Sequence, residues 1–203
     1  MIKRLFFDLG STLIDESECA EYRTRELLRQ RGAPCREVLE RRMAELAAQN
    51  RMPYKDAARE FGLETVKWPL HLEKVYDGVP RLLEALSKKY RLGVIANQSA
   101  GTEQRLEKYG IRQYFDLIIS SAEIGFSKPD LKIFEIALDK AGCTSSETYM
   151  IGDRLDNDIE SAAQLGMRTI WVRQGTFVGG SLNLICHRPD HTVDRVTDIT
   201  EYL

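Results

Sequence analysis

Cysteine is scarce: Cys19, Cys35, Cys143 and Cys186 are the only four in 203 residues, and no Cys-x-x-Cys pair occurs. That spacing gives no sign of a disulfide-stapled scaffold or a zinc ribbon, and it suits free thiols in a reducing compartment. Long apolar runs are missing too. None approaches the roughly 20 residues that a membrane-spanning helix needs. The opening stretch, Met1 to Asp8, is too short an apolar run for a secretory leader. A cytoplasmic protein with no membrane partner is therefore expected. Charge of one sign is also lacking, because 29 Lys and Arg oppose 31 Asp and Glu. No basic nucleic-acid surface is suggested. There is no internal repeat and no low-complexity tract.

What is present is an ordinary core-forming composition, 43% hydrophobic and 30% charged. Its length suits one domain with a small insert. The first apolar run, Ile2 to Leu9, ends at Gly10-Ser11 and reads as a buried strand feeding a tight turn. From about Ser17 to Leu72 strand-like runs vanish. Apolar residues recur there at helical spacing (Leu27-Leu28, Val38-Leu39, Met43, Leu46-Ala47), and Gly32-Ala33-Pro34, Met52-Pro53 and Trp68-Pro69 punctuate them. The charges of Arg23 to Arg42 read as solvated helix faces. Residues 16–76 are expected to form a helical unit, with 1–15 and 77–203 forming the rest.

Beyond Val79-Pro80 helices and strands alternate. Helices are expected over Arg81–Lys89, Gly101–Tyr109, Leu131–Ala141 and Asn157–Leu165. Strands are expected over Leu92–Ala96, Leu117–Ser120, Tyr149–Ile151 and Thr169–Val172. Such alternation predicts an α/β fold, a parallel sheet with helices on both faces. Ligands of such sheets sit beyond the C-terminal strand ends. The residues that follow those ends are Asp8, Asn97, Ser127-Lys128-Pro129 and Gly152-Asp153. Two carboxylates brought together repel unless a cation lies between them. A hard divalent ion such as Mg²⁺ suits oxygen donors of this kind. With Lys128 and Asn97 alongside, the edge suits a phosphoryl group.

Phe6-Phe7-Asp8-Leu9-Gly10-Ser11-Thr12-Leu13 resembles the first motif of the haloacid dehalogenase superfamily of hydrolases. Val94-Ile95-Ala96-Asn97 resembles the second, Ser127-Lys128-Pro129-Asp130 the third, and Ile151-Gly152-Asp153-Arg154-Leu155-Asp156-Asn157-Asp158-Ile159 the fourth. The four stand in the right order and span most of the chain. The resemblance implies a Rossmann-like core with an all-helical cap inserted after the first motif. It implies an Mg²⁺-dependent phosphohydrolase acting on a small phosphorylated metabolite. Asp8 would attack phosphorus to form an aspartyl-phosphate. Asp8, the Gly10 carbonyl and Asp153 would hold the metal. Ser11, Asn97 and Lys128 would face the phosphate, Lys128 also bridging to Asp8. Asp158 would support Lys128 and the fourth loop.

Two positions depart from that pattern. The usual acid/base aspartate, two residues after the nucleophile, is Gly10 here, and Ala96 replaces a hydroxyl residue. General acid–base help is worth roughly 10²–10⁴-fold. A slow enzyme, or one selective for good leaving groups, is therefore expected, and Gly10→Asp is expected to raise turnover if the backbone tolerates it. Two other classes stay open: a degenerate member that binds a phosphorylated ligand or protein with little turnover, and a dehalogenase, which needs no metal.

Other features have plainer readings. Cys186-His187 with His191 is broken by Pro189 and reads poorly as a metal site. Gly175 to Ser181 reads as a flexible surface loop, Trp68 and Trp171 as core or hinge packing, and Asp156 as capping or surface charge. Tyr22, Arg23 and Arg25 face either a substrate or solvent.

Overall fold

The computed structural model describes residues 1–203. Six parallel strands form the main sheet in the order β5-β4-β1-β6-β7-β8: β1 (Arg4–Phe7), β4 (Arg91–Ala96), β5 (Leu117–Ser120), β6 (Thr148–Gly152), β7 (Arg168–Val172) and β8 (His191–Val193). The chain runs outward from β1 through β4 to β5 and then returns to β6 on the other side of β1. The strand order reverses at β1, so the crevice that such sheets offer to ligands opens at its C-terminal end.

Alternation along β1 builds both faces of the sheet. Leu5 and Phe7, each 0% exposed, join one apolar cluster with α4 (Val79–Ser87) and α5 (Thr102–Lys108). Phe6 points the other way, into a cluster with α7 (Leu131–Ala141) and α8 (Ser161–Gln164). The Phe6 ring also explains a glycine in mid-strand. A Cβ on Gly93, its partner in β4, would lie 2.7 Å from the ring.

A second, antiparallel ribbon pairs β2 (Ile14–Asp15) with β3 (Lys74–Val75). Between its strands lie α1 (Ser17–Leu28), α2 (Arg36–Ala48) and α3 (Pro53–Glu60). Pro53 opens α3, where its missing N–H costs no hydrogen bond. Leu27, Leu39, Leu46, Tyr54 and Leu63 pack in a separate apolar cluster that contains no residue of the main sheet.

The parallel α/β sheet agrees with the sequence pattern, and three details differ. β8 has only three residues and follows Pro189-Asp190, so it is too short to show a period. The expected helix from Asn157 starts instead as a wide, π-type turn over Leu155–Glu160 before α8. Residues 175–181 are no free loop: Gly175 lies directly against Ser11, and Arg154 stacks 4.2 Å from the Phe177 ring centroid. All four cysteines are free, and no helix is long and apolar enough to cross a membrane.

Candidate active site

The site begins where β1 ends. The Asp8 amide donates to the Ile151 carbonyl at 2.9 Å, which extends the ladder one residue beyond the strand. Its side chain is left at the C-terminal edge. A tight turn follows, in which Thr12, Leu13 and Ile14 all donate to the Leu9 carbonyl. Ser11 sits in the left-handed region there, at φ +56°.

Lys128 is 4% exposed and lies at the centre. Its ammonium donates to Asp8 Oδ1 at 2.6 Å, to Asp158 Oδ1 at 2.6 Å and to the Ile95 carbonyl at 2.9 Å. All three of its protons are thereby placed. Burial opposes the Lys128 charge, but Asp158 and Asp8 outweigh it and hold the pKa above the ordinary lysine value.

Asp153, 3% exposed, follows β6. Trp171 Nε1 donates to its backbone carbonyl at 2.9 Å. Its side chain receives only a long contact from Thr12 Oγ1, at 3.5 Å. Burial, then the charges of Asp8 and Asp158, raise the Asp153 pKa well above the carboxylate range. Asp8, Asp153 and Asp158 each bring a carboxylate oxygen within 4.8 Å of the others. Three carboxylates thus face one ammonium, a donor set of hard oxygens suited to a divalent cation. Asp158 is the one already committed, since Lys128 takes Oδ1 and the Arg154 amide takes Oδ2 at 3.0 Å. Its carboxyl fills the place of a Cβ on Gly152. Burial raises its pKa to about 6, against the opposing pull of Lys128.

Two expected phosphate contacts are used differently. Asn97 clamps the Lys128 backbone, donating from Nδ2 to its carbonyl and accepting at Oδ1 from its amide, both at 2.7 Å. Its side chain holds the lysine in place, with at most one N–H left for a ligand. Ser11 gives its amide to the Ile14 carbonyl and its hydroxyl to Glu16 Oε2, at 3.2 Å. In this arrangement both Ser11 donors are directed within the turn.

Gly10 supplies no side chain, and its place is not vacant. A Cβ there would lie 2.6 Å from Glu16 Oε1 and 2.9 Å from the Glu16 carboxyl carbon. Gly10→Asp therefore has to move the flexible Glu16 carboxyl aside. Burial first, then Asp8 and Glu73, push the Glu16 carboxyl up to about 8.

These groups open onto a cavity of about 630 Å³, lined on the helical side by Arg23, Tyr54 and Trp68. The Arg23 guanidinium stacks 3.4 Å from the Tyr54 ring centroid and 5.1 Å from that of Trp68, and its buried Nε has no hydrogen-bond partner. Arg25 is exposed and Tyr22 is not among the lining residues. Trp68 thus lines the cavity as well as packing against Arg23. Trp171 is core, as expected, and Asp156 pairs with Arg154 at 2.6 Å. The remote histidines part company: His187 pairs with Glu160, while His191 stacks on Tyr202.

The sequence reading missed Glu16 and the aromatic seat of Arg23. Asp15-Glu16 before a helix looks like ordinary N-terminal charge, and the aromatic partners of Arg23 lie far along the chain. The one available signal for Glu16 was a carboxylate lying a short turn away from a position that lacks one.

Fold and site together suit a hydrolase built on a parallel α/β sheet, with carboxylates and a buried lysine gathered at one sheet edge. The chain belongs to the haloacid dehalogenase-like hydrolase family, whose model matches residues 5–172. It is 30% identical over 195 residues to a glyceraldehyde 3-phosphate phosphatase of Methanothermobacter thermautotrophicus, covering 85% of this chain and 86% of that one. It is 25% identical over 213 residues to the pyrophosphatase PpaX of Bacillus velezensis, covering 98% and 94%. The crystal structure of a HAD phosphatase from Thermococcus onnurineus superposes with a TM-score of 0.67 at 21% identity, covering 98% of this chain and 97% of that one.

Proposed function

We propose that this protein is a phosphohydrolase that transfers the phosphoryl group of a small substrate to Asp8 and then to water. The observation that carries this reading is the contact of Lys128 with both Asp8 and Asp158, beside a third buried carboxylate, Asp153. A carboxylate attacks an anionic phosphoryl group only where positive charge offsets the repulsion. Lys128 supplies part of it and fixes the attacking oxygen. The other Asp8 oxygen, an Asp153 oxygen and the Gly10 carbonyl would hold Mg²⁺. That ion would supply the remaining charge cancellation and polarise a phosphoryl oxygen. The phosphatase names of the relatives support the same class.

Residues 16–76 serve in this reading as a cap over the site. Arg23, seated on aromatic rings with Nε unpaired, favours substrates that carry a second anionic group, because a guanidinium on a ring face keeps its fork free for a carboxylate or phosphate. Steady-state assays with Mg²⁺ on a panel of phosphate esters, beside Asp8→Asn, test the proposal. Turnover by the native chain and none by the variant is expected, and equal rates refute it. Turnover of 2-haloacids without Mg²⁺ would instead mark a dehalogenase.

A further inference from the structure

The mechanism above needs a proton for the departing alcohol, and Gly10 has none to give. We propose that Glu16 is the catalytic acid and base of this enzyme, doing from the start of α1 what a side chain at position 10 would otherwise do. The proposal presupposes the phosphohydrolase reading and goes beyond it.

The first argument is position. Glu16 directly precedes α1, and its side chain makes no bond to the free amides of that helix end. It folds back across the turn after β1 instead. Both carboxyl oxygens and the carboxyl carbon lie within 2.9 Å of where a Cβ on Gly10 would stand. The carboxyl thus takes up the space that a side chain at position 10 would enter. Ser11 Oγ tethers Oε2 there, and the Glu16 side chain borders the same cavity as Asp8.

The second argument is elimination. Five carboxylates border that cavity: Asp8, Glu16, Glu73, Asp153 and Asp158. Glu73 accepts from Trp68 Nε1 at 2.6 Å and from the Tyr109 hydroxyl. Asp158 is taken at both oxygens, by Lys128 and the Arg154 amide. Asp8 is the nucleophile, and Asp153 belongs to the metal donor set. Glu16 alone has an oxygen to spare and no other task.

The chemistry balances in two steps. As Asp8 Oδ bonds to phosphorus, the bond to the ester oxygen breaks. Its electron pair leaves with that oxygen, which takes the Glu16 proton and departs as an alcohol. Glu16, now a carboxylate, takes a proton from water while the water oxygen bonds to phosphorus. The bond from phosphorus to Asp8 breaks, its electron pair returns to the Asp8 carboxylate, and inorganic phosphate forms. Ester and water give alcohol and phosphate, with both side chains restored.

The test is the dependence of kcat/KM on leaving group, measured with Mg²⁺ on aryl phosphates of graded phenol acidity and one alkyl phosphate. Native protein, Glu16→Gln and the double variant Gly10→Asp/Glu16→Ala are compared. Glu16→Gln keeps the side-chain shape but cannot supply the proton. It should lose on the order of 10²–10³-fold on the alkyl ester and little on the most acidic phenol, because only poor leaving groups need a proton. The double variant should regain much of the alkyl rate. A uniform loss across the panel, or no loss, overturns the role of Glu16 while the active native enzyme upholds the phosphohydrolase reading. A native protein inert on every ester overturns both.

Discussion

Lys128 and Asp158 form an ion pair almost sealed from water: Nζ lies 2.6 Å from Oδ1, and the two side chains are 2% and 1% exposed. A buried pair of this kind is costly to break from one side, because the charge left behind has lost both water and partner. Lys128→Met would leave Asp8, Asp153 and Asp158 facing one another with no ammonium. It should cost about 3–5 kcal/mol of stability, read from urea unfolding at neutral pH without divalent cations. It should also abolish turnover. An unchanged unfolding midpoint would show that the carboxylates do not depend on this lysine.

Asp153 gives the opposite sign. Its carboxyl is crowded by Asp8 and Asp158 and receives only the 3.5 Å contact from Thr12. Asp153→Asn removes the cost of burying that carboxyl and crowding it against Asp8 and Asp158, so the metal-free protein should melt at a higher temperature than the native chain. In the native protein saturating Mg²⁺ should add stability, about 2.7 kcal/mol at a hundredfold excess over Kd. The variant should lose that gain along with its activity. Calorimetry with and without Mg²⁺ checks both halves. A variant that melts lower, or that keeps the full Mg²⁺ shift, would remove Asp153 from the metal donor set.

Arg23 predicts substrate preference. Replacing it with Ala should raise KM for a phosphorylated carboxylic acid by roughly 10–100-fold, the loss of one charge-assisted contact of about 1.5–3 kcal/mol. The rise should be much smaller for a phosphate ester with a neutral remainder. Equal changes for the two substrates would mean that Arg23 only packs the helices.

A pH effect is expected far from the site. The Lys3 ammonium, with the Thr144 amide, draws the Glu147 carboxyl down to about 2. A carboxylate whose folded pKa is depressed stabilises the fold above its unfolded value, near 4.3, and that contribution fades as pH falls through about 2. The melting-temperature advantage of native protein over Glu147→Gln should therefore be full at pH 6 and nearly gone at pH 2. An advantage independent of pH would mean that the charge is immaterial.

The sequence exposed those parts of the molecule that depend on short-range pattern. The apolar run from Ile2 to Leu9, the glycine stop at Gly142 and each helix or strand in the alternation from Arg81 to Val172 are set by neighbours close in the chain. Asp8, Lys128 and Asp153 were legible because each lies beyond a strand end in one parallel sheet, and the sheet brings them together; Asp158, within the turn after β6, was legible only through the resemblance of the fourth motif. Asn97 and Ser11 were placed in the right loops, but their hydrogen bonds go to Lys128 and Glu16. Which way a donor turns depends on neighbours that no local pattern names. β8 was missed because three residues cannot display a period of two. The seat of Arg23 unites α1 with Tyr54 and Trp68, and only the packing of the helices makes that contact.

The central claim is that Asp8 becomes covalently phosphorylated. Native protein turning over a phosphate ester with Mg²⁺, quenched in cold acid and digested, should yield a peptide spanning Asp8 that is heavier by one phosphoryl group. Fragmentation should place that mass on Asp8, and Asp8→Asn should show neither the mass nor the activity. Steady turnover with Asp8 unmodified, or undiminished turnover by Asp8→Asn, would contradict the account.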